Sequence, residues 1–512
     1  MPVEKSFDKF LFAKRRKITT EQVVVECNVT LESGEELSKV LSVKGCANVD
    51  KPNFNGGEIS ASGKLVLNLI YLTADNLIGS QKSVCPFSLK TQKDASGTVY
   101  ARSKVIETTV ESINASNVKV VSVVEVSLYE IKNEEMKMIA SAGENVMTRE
   151  SETKVTELVS QSTQQFTEEN TFTTKERIKS ILSSQSDVVI KDSQPGYNFI
   201  SVQGDVITRL VYVVDDGRDK ICSTYITNSF KQEFEVENVS KESSLEVFAN
   251  VLCEGVLASI EENENETTVK VSVPVEVNMF AYNEKTITNI IDLYSITNEV
   301  QTTTESYTFN SIKECDYFES KIEGTMSLGD EYPRVDKLLA VTGEGFVDSN
   351  TYISDGEIVI EGVGYATLLY INDELSTINS VQIEFPFSVS EKTNLTDAVT
   401  SVNITLTDID AMVKKGREVF FDAKLKIEVC YYEEETGAVM TDLVLGENLS
   451  KRTHPIEIYF AHKGESLWDI AKSLKVKDSL IFEQNCTLTD PLEKDEKIVL
   501  YFQKSGKNDI NK

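Results

Sequence analysis

Three times along this chain a glycine stands eight residues before a tyrosine inside a run of strand-forming residues: Gly63 to Tyr71, Gly204 to Tyr212 and Gly362 to Tyr370. Each run is followed by an acidic turn, at Asp75-Asn76, Asp215-Asp216-Gly217 and Asn372-Asp373. A second mark comes next: Cys85-Pro86-Phe87-Ser88 matches Phe385-Pro386-Phe387-Ser388, with Asn228-Ser229-Phe230 as a middle copy without the proline. A third precedes the glycine: Lys39-Val40-Leu41-Ser42-Val43 aligns with Lys337-Leu338-Leu339-Ala340-Val341 and, more loosely, with Lys179-Ser180-Ile181-Leu182. Each copy closes with a Val-rich alternating run, Val118 to Tyr129, Thr268 to Tyr282 and Val419 to Tyr432. A chain that repeats itself in this way has one packing problem to solve three times.

The repeated unit reads as β. Val269-Lys270-Val271-Ser272-Val273 alternates apolar and polar with period two, the signature of a strand with one wet face. Short strands at regular spacing with turn residues between them predict a sandwich or open barrel per copy. A glycine inside such a strand marks a bulge or a close approach of another group. A proline in Pro-Phe-Ser suits a strand start or an edge, where a missing N–H is tolerated. The polar stretch Thr148 to Asn170 reads as a linker, a polar helix or a strand edge, and Gln301 to Thr304 as a short joint.

Composition narrows the function. The chain has 512 residues and a net charge of -30. From Pro455 to the end nine Lys face ten Asp and Glu, a balance of -1, so the excess acid lies in the first 450 residues. Phosphate contact needs clustered Lys and Arg, so nucleic-acid binding by the body is not expected. No run approaches the ~20 apolar residues of a membrane span. The start, Met1 to Lys17, lacks the apolar core of a signal peptide. It reads as a frayed polar segment, and the protein as cytoplasmic. The eight cysteines are scattered with no CxxC pair, and are expected to be buried thiols of a reducing compartment. The two histidines, His454 and His462, lie outside the repeats, which leaves the body without His for acid–base or metal work. With no phosphate loop and no Gly-x-Ser-x-Gly elbow, neither an enzyme nor a cofactor is expected.

The C-terminal end is of another kind. Ile456 to Phe460 reads as a strand, His462-Lys463-Gly464 as a turn, and Ser466 as a helix cap with Asp469 three residues on. Leu467, Ile470, Ala471 and Leu474 then share one helical face. Asp478 or Ser479 caps a second helix that ends at Asn485, and Lys497 to Tyr501 reads as a last strand. So small a unit is marginal alone and gains stability from docking on something else.

This end resembles a LysM module, and the three copies resemble the SPOCS domains of spore-coat-associated proteins. Together they are similar to the clostridial coat morphogenetic proteins that carry tandem SPOCS domains and a C-terminal LysM. The resemblance implies a mainly β chain: three tandem β-sandwich-like repeat domains followed by a small βααβ LysM domain. The divisions would be an N-terminal segment at 1–17, a first repeat at 18–147, a linker and second repeat at 148–300, a third repeat at 301–450 and the LysM-like domain at 455–503. It implies a non-enzymatic scaffold of spore coat assembly that binds coat proteins and docks, through the LysM-like domain, on the SpoIVA-type coat ATPase at the forespore surface inside the mother cell. The LysM groove carries over to Lys463, Gly464, Glu465, Ser466 and Leu467 of one loop and to Asn485, Cys486, Thr487 and Leu488 of the other, and these residues with Trp468 are where the partner contact is expected. Trp468, the only tryptophan, reads either as packing or as an aromatic partner anchor. LysM modules grip N-acetylglucosamine polymers through backbone amides of that groove, so the alternative is a peptidoglycan or cortex-glycan binding protein. The usual Pro-Gly turn before the last strand is here Lys494-Asp495-Glu496-Lys497, and Asp490 and Glu493 add further acid. Glycan binding is therefore expected to be weak at most.

Overall fold

In the computed structural model, residues 5–31, 36–114, 116–215, 220–263, 266–347, 351–373, 377–396, 398–450 and 452–502 are described. The chain is mainly β, with several sheets and two α-helices among the described residues. The first copy runs β1 (Ser6–Thr30), β2 (Leu37–Val49), β3 (Asn53–Asn55), β4 (Glu58–Thr73), β5 (Ile78–Gln92), β6 (Thr98–Asn114) and β7 (Asn117–Ser141). The second runs β8 (Val146–Thr174), β9 (Ile178–Pro195), β10 (Phe199–Val214), β11 (Lys220–Glu235), β12 (Ser244–Val251), β13 (Leu257–Glu262) and β14 (Thr267–Ser295). The third runs β15 (Asn298–Ser327), β16 (Lys337–Val347), β17 (Tyr352–Ser354), β18 (Glu357–Asn372), β19 (Thr377–Lys392), β20 (Val399–Lys414) and β21 (Glu418–Asn448). The chain ends in β22 (Ile456–Ala461), α1 (Leu467–Leu474), α2 (Asp478–Gln484) and β23 (Glu496–Tyr501).

Each copy pairs its strands in the same way. The first strand lies antiparallel to the closing strand, β1 on β7, β8 on β14 and β15 on β21. The penultimate strands, β6, β12 with β13, and β20, take the other side of the closing strand. A second sheet is built on the Gly-x7-Tyr strand, in the orders β2-β4-β5, β9-β10-β11 and β16-β18-β19. An apolar cluster lies between the two sheets of each copy, Leu65, Leu67, Val124 and Val126 in the first, for example.

The marks of the repeat are one contact. Gly63 lies opposite Phe87, Gly204 opposite Phe230 and Gly362 opposite Phe387 in the register of the second sheet. A side chain at any of these glycines would run into the opposite phenyl ring. The ring tip occupies the space a side chain would take at the glycine, a known way of protecting a glycine in a sheet. The glycines mark a close approach, as their place in a strand suggests. Pro86 and Pro386 lie on β5 and β19, which pair on one side only, so their missing N–H groups are not needed.

The third mark is a bulge. Leu41, Leu182 and Leu339 are each skipped in the pairing with the tyrosine-bearing strand. The bulge turns these leucines away from the cores of their own copies. Leu41 and Leu182 are buried, with Leu339 packed beside them, in one cluster that also takes Ile70, Val211 and Leu369. These last three directly precede the repeat tyrosines. Equivalent residues of all three copies thus meet in one place, which gives the body a pseudo-threefold axis.

The long strands continue this arrangement. Beyond the sandwiches, β1 with β7, β8 with β14, and β15 with β21 run on as ribbons. These ribbons bury Phe10, Phe12, Val155, Ile287, Tyr307 and Phe309 against each other. Of the three readings of Thr148 to Asn170 the strand is the one found, running from this ribbon into the second sandwich, and Gln301 to Thr304, expected as a joint, is strand as well. Their polar composition misleads because a two-stranded ribbon buries one face and wets the other. For the same reason the N-terminal segment is not frayed: strand begins at Ser6, and Phe10 and Phe12 are buried. Met1 to Glu4 lie outside the described residues.

The cysteines also depart from expectation. Six of the eight stand in three bonded pairs, Cys27–Cys85, Cys46–Cys253 and Cys315–Cys430, with Cα atoms 6.1, 6.1 and 4.1 Å apart. The first crosses the core of one copy, the second joins copies one and two, and the third links adjacent strands. The partners lie 58, 207 and 115 residues apart, so no local spacing announces them.

Where copies two and three meet, the carboxylate of Glu428 accepts from Ile190 N at 2.5 Å and from Asn403 Nδ2 at 2.5 Å. Burial pushes its carboxyl up to about 7. A raised carboxyl favours the folded state at low pH, and that contribution is lost as pH rises from the ordinary 4.5 through about 7. Stability is therefore expected to decline across that window, and Glu428→Gln to flatten the decline, as read from urea midpoints measured over the range.

Candidate functional site

The C-terminal unit is ordered from its first turn. Gly464 takes a φ of +90°, a conformation that a side chain would strain, and this brings the chain round into α1. Ser466 caps that helix: its Oγ accepts from Asp469 N at 3.1 Å and donates to Asp469 Oδ2 at 2.6 Å. Leu467, Ile470 and Ala471 point into a small core with Ile481, Ile498 and Leu500. α2 is capped at its end by Asn485, whose side chain donates to Ile481 O and Val499 O at 3.1 Å and accepts from Val499 N at 3.2 Å. Asn485 thus ties α2 to β23.

The residues of the two loops lie at one end of the unit, and several of their amides are already hydrogen-bonded. Lys463 N donates to Asp495 Oδ1 at 2.8 Å, Gly464 N to Leu492 O at 2.8 Å, and Leu467 N to Asp490 Oδ1 at 3.0 Å. The Glu465 carboxylate folds back on the turn and accepts from His462 N at 3.0 Å. Cys486 and Thr487 are exposed, Leu488 is half-buried, and Leu488 N donates to Asn485 O at 3.2 Å. Two of the acids that crowd this end in the sequence, Asp490 and Asp495, thus each accept from a backbone amide of the first loop.

Trp468 faces the body of the same chain. Its Nε1 donates to Asp292 Oδ2 at 2.8 Å, and its ring meets Tyr294 edge-on at 5.0 Å. Lys472, one helical turn on, reaches both oxygens of Asp292 at 2.6 and 2.8 Å. Tyr294 Oη donates to Val476 O at 2.7 Å. Burial opposes ionisation of Asp292, but the bonds from Lys472 and Trp468 win and hold its carboxyl below the usual range. The unit is thus anchored on the end of the second ribbon, at Met147, Tyr294 and Ile296. Asp292 and Tyr294 drew no notice in the sequence because they sit at the tail of an ordinary strand.

Asp292→Ala removes both charge-assisted bonds, a loss of about 2 kcal/mol of docking. With one tryptophan in the chain, the measurement is direct: emission should shift to the red as the ring gains water, with the far-UV spectrum unchanged.

Among the described residues the outer face of the β22–β23 sheet is uncovered. Ile456, Ile458 and Phe460 alternate along β22 and are 49, 49 and 71 % exposed, and Tyr501, opposite Ile456, is 60 % exposed. The other face of the same strands covers the core through Ala461, Ile498 and Leu500. Contiguous exposed side chains of this size mark an interaction surface more often than scattered ones do. Among the described residues no group of three or more His, Cys, Asp or Glu is placed to hold a metal, and no helix is long and apolar enough to cross a membrane. Comparison with protein-family models, curated proteins and solved structures returned no match.

Proposed function

We propose that this protein is a non-enzymatic scaffold of the spore coat, of the SipL-like type, in which three SPOCS-like sandwich domains form one body and a LysM-like domain carries the docking face. The partner is a SpoIVA-type coat ATPase at the forespore surface, on the mother-cell side. The resemblance of the three copies and of the βααβ end supports the class. In a reducing compartment the three cysteine pairs would stand as juxtaposed thiols.

The observation that carries the docking reading is the division of labour within the C-terminal unit. The α1 face with Trp468 holds the body, and the groove amides are occupied by Asp490, Asp495 and Leu492 O. The apolar face with Ile458 and Phe460 is covered by no other part of the chain among the described residues. An aromatic side chain such as Phe460, once covered by a partner, contributes much of the energy of an interface of this kind.

The test is capture of the purified ATPase by the full chain, alongside binding of chitin oligomers. Phe460→Arg and Ile458→Arg are each expected to weaken capture by about a hundredfold, roughly 2.7 kcal/mol. Capture unchanged in both variants would remove the docking face assigned here. Tight chitin-oligomer binding by the unaltered chain would instead favour the cortex-glycan reading.

A further inference from the structure

One repeated position falls at a seam between copies all three times. Cys46, Asp187 and Glu344 lie opposite Val66, Ile207 and Tyr365, the third residue after the repeat glycine in each copy. Asp187 pairs with Arg209, which donates to Gly343 O of the third copy at 2.9 Å. Glu344 faces Lys44 of the first copy at 3.9 Å. Two seams thus carry an ion pair at this position. The remaining one carries sulfur, since Cys46 of the first copy meets Cys253 of the second.

The far side of this seam is peculiar to the second copy. β6 and β20 follow the closing strand with bulges, whereas in the second copy the strand breaks between β12 and β13. The break holds a single 3-10 turn, Cys253–Gly255, and reaches the first copy. Asn48 clamps it: its Nδ2 donates to Val251 O at 2.8 Å, and its Oδ1 accepts from Cys253 N at 2.8 Å. Lys82 Nζ donates to Glu254 O at 3.1 Å and to Val256 O at 2.9 Å, and Lys64 pairs with Glu254 at 2.5 Å. None of these contacts involves sulfur, so they hold the two cysteines side by side whether or not the sulfurs are joined.

The other two pairs sit differently. Cys27 and Cys85 are both buried in the core of the first copy, out of reach of a dissolved reagent while that copy is folded. Cys315 is exposed, but it lies directly opposite Cys430 on β15 and β21, strands that are paired along their length. A bond there fastens nothing that the sheet does not already hold. Cys46 combines access with consequence. It is half-buried and lines the half-open cleft between the copies. Its bond to Cys253 joins residues 207 apart in sequence, and the longer the loop a disulfide closes, the more freedom it takes from the unfolded chain.

We propose that Cys46 and Cys253 form a reversible redox latch between the first and second copies, closed by exchange with a small soluble disulfide and opened by a small thiol. In closing, the Cys46 thiolate attacks one sulfur of the reagent, expels one thiolate and forms a mixed disulfide. The Cys253 thiolate then attacks the Cys46 sulfur and expels the second. Two protein thiols are oxidised to one disulfide, the reagent is reduced to two thiols, and the two protons end on those thiols. Opening is the reverse. The latch is independent of the docking role, since the seam and the β22–β23 face are separate parts of the chain, and either reading can fail without the other.

The experiment equilibrates the full folded chain with reduced and oxidised glutathione at graded ratios, caps the remaining thiols with iodoacetamide and reads the tryptic peptides by mass spectrometry. Peptides joined through Cys46 and Cys253 should rise with the oxidised fraction and fall when the ratio is reversed, while the state of Cys27 and Cys85 stays the same. Thermal midpoints give a second readout. The difference between oxidised and reduced protein should be about 5 °C larger in the unaltered chain than in Cys46→Ser. Cys253→Ser should match Cys46→Ser, and Cys315→Ser should keep the difference of the unaltered chain. Absence of the joined peptides at the most oxidising ratio overturns the proposal. So do joined peptides that persist in the folded chain at the most reducing ratio, a Cys27–Cys85 pair that follows the ratio equally, or a midpoint difference that neither Cys46→Ser nor Cys253→Ser reduces.

Discussion

Gly362→Val should lower the stability of the body by about 3 kcal/mol, the upper part of the range for forcing extra groups into a packed interior. A Cβ at this position meets the carbonyl oxygen of Phe346 on the neighbouring strand and the ring of Phe387 on the other. Neither can yield cheaply, because the carbonyl belongs to the sheet and the ring is buried in the core of the third copy. The same holds at Gly204, where the carbonyl is that of Val189, and at Gly63, where it is that of Asn48. The measurement is the urea midpoint of Gly362→Val against the unaltered protein. Phe387→Ala makes room on one side, so Gly362→Ala should cost less in that background than alone, a coupling that a double-mutant cycle reads directly. A Gly362→Val protein with an unshifted midpoint would show that the ring does not lie over the glycine.

Glu246→Ala should cost about 3 to 5 kcal/mol, the usual effect of removing one partner of a buried ion pair. Glu246 is 1 % exposed. Its carboxylate accepts from Tyr432 Oη at 2.8 Å and Tyr282 Oη at 3.1 Å, and pairs with Arg15 Nε at 3.3 Å and Arg102 Nη2 at 3.8 Å. The groups come from all three copies, so the loss falls on the contact that closes the body, not on one sandwich. Without the carboxylate, Arg15 is left with burial that works against its charge and with no acid to hold it up. Glu246→Gln keeps an acceptor for one tyrosine and should cost less. The Arg15→Ala, Glu246→Ala double variant should be more stable than the sum of the two single losses predicts. Thermal midpoints of the four proteins decide this, and strict additivity would mean that the pair is not coupled.

Much of the local structure could be read from residue order. Alternation in Val269 to Val273 marks a strand with one apolar face, and the strand is there, with Val269, Val271 and Val273 buried. Ser466 and Asp469 mark a helix start, and both hydrogen bonds of that cap form. These signals are legible because they depend on neighbours within four residues, where backbone geometry sets which side chains can meet.

Misreadings came where a residue's partner lies far along the chain. Thr148 to Asn170 could be read as linker, helix or strand edge, because its strand status depends on pairing with β14, more than a hundred residues away, and Gln301 to Thr304, read as a joint, pairs with β21 in the same way. The cysteine pairs and the anchoring of Trp468 on Asp292, 176 residues apart, are of the same kind. Acids near the end of the chain were visible as a crowd, but not that Asp490 and Asp495 each hold a groove amide.

The sequence by itself determined that the chain is mainly β, that it repeats three times, that a small mixed unit follows, and where glycine and phenylalanine had to recur. Only the tertiary structure decided that Gly and Phe are opposite partners, and that the copies close about an axis instead of standing as beads. The physical reason is that periodicity reports which face of an element is apolar, while the choice of which apolar face covers which is made by bulges, ribbons and buried charges whose partners meet only when the whole chain has folded.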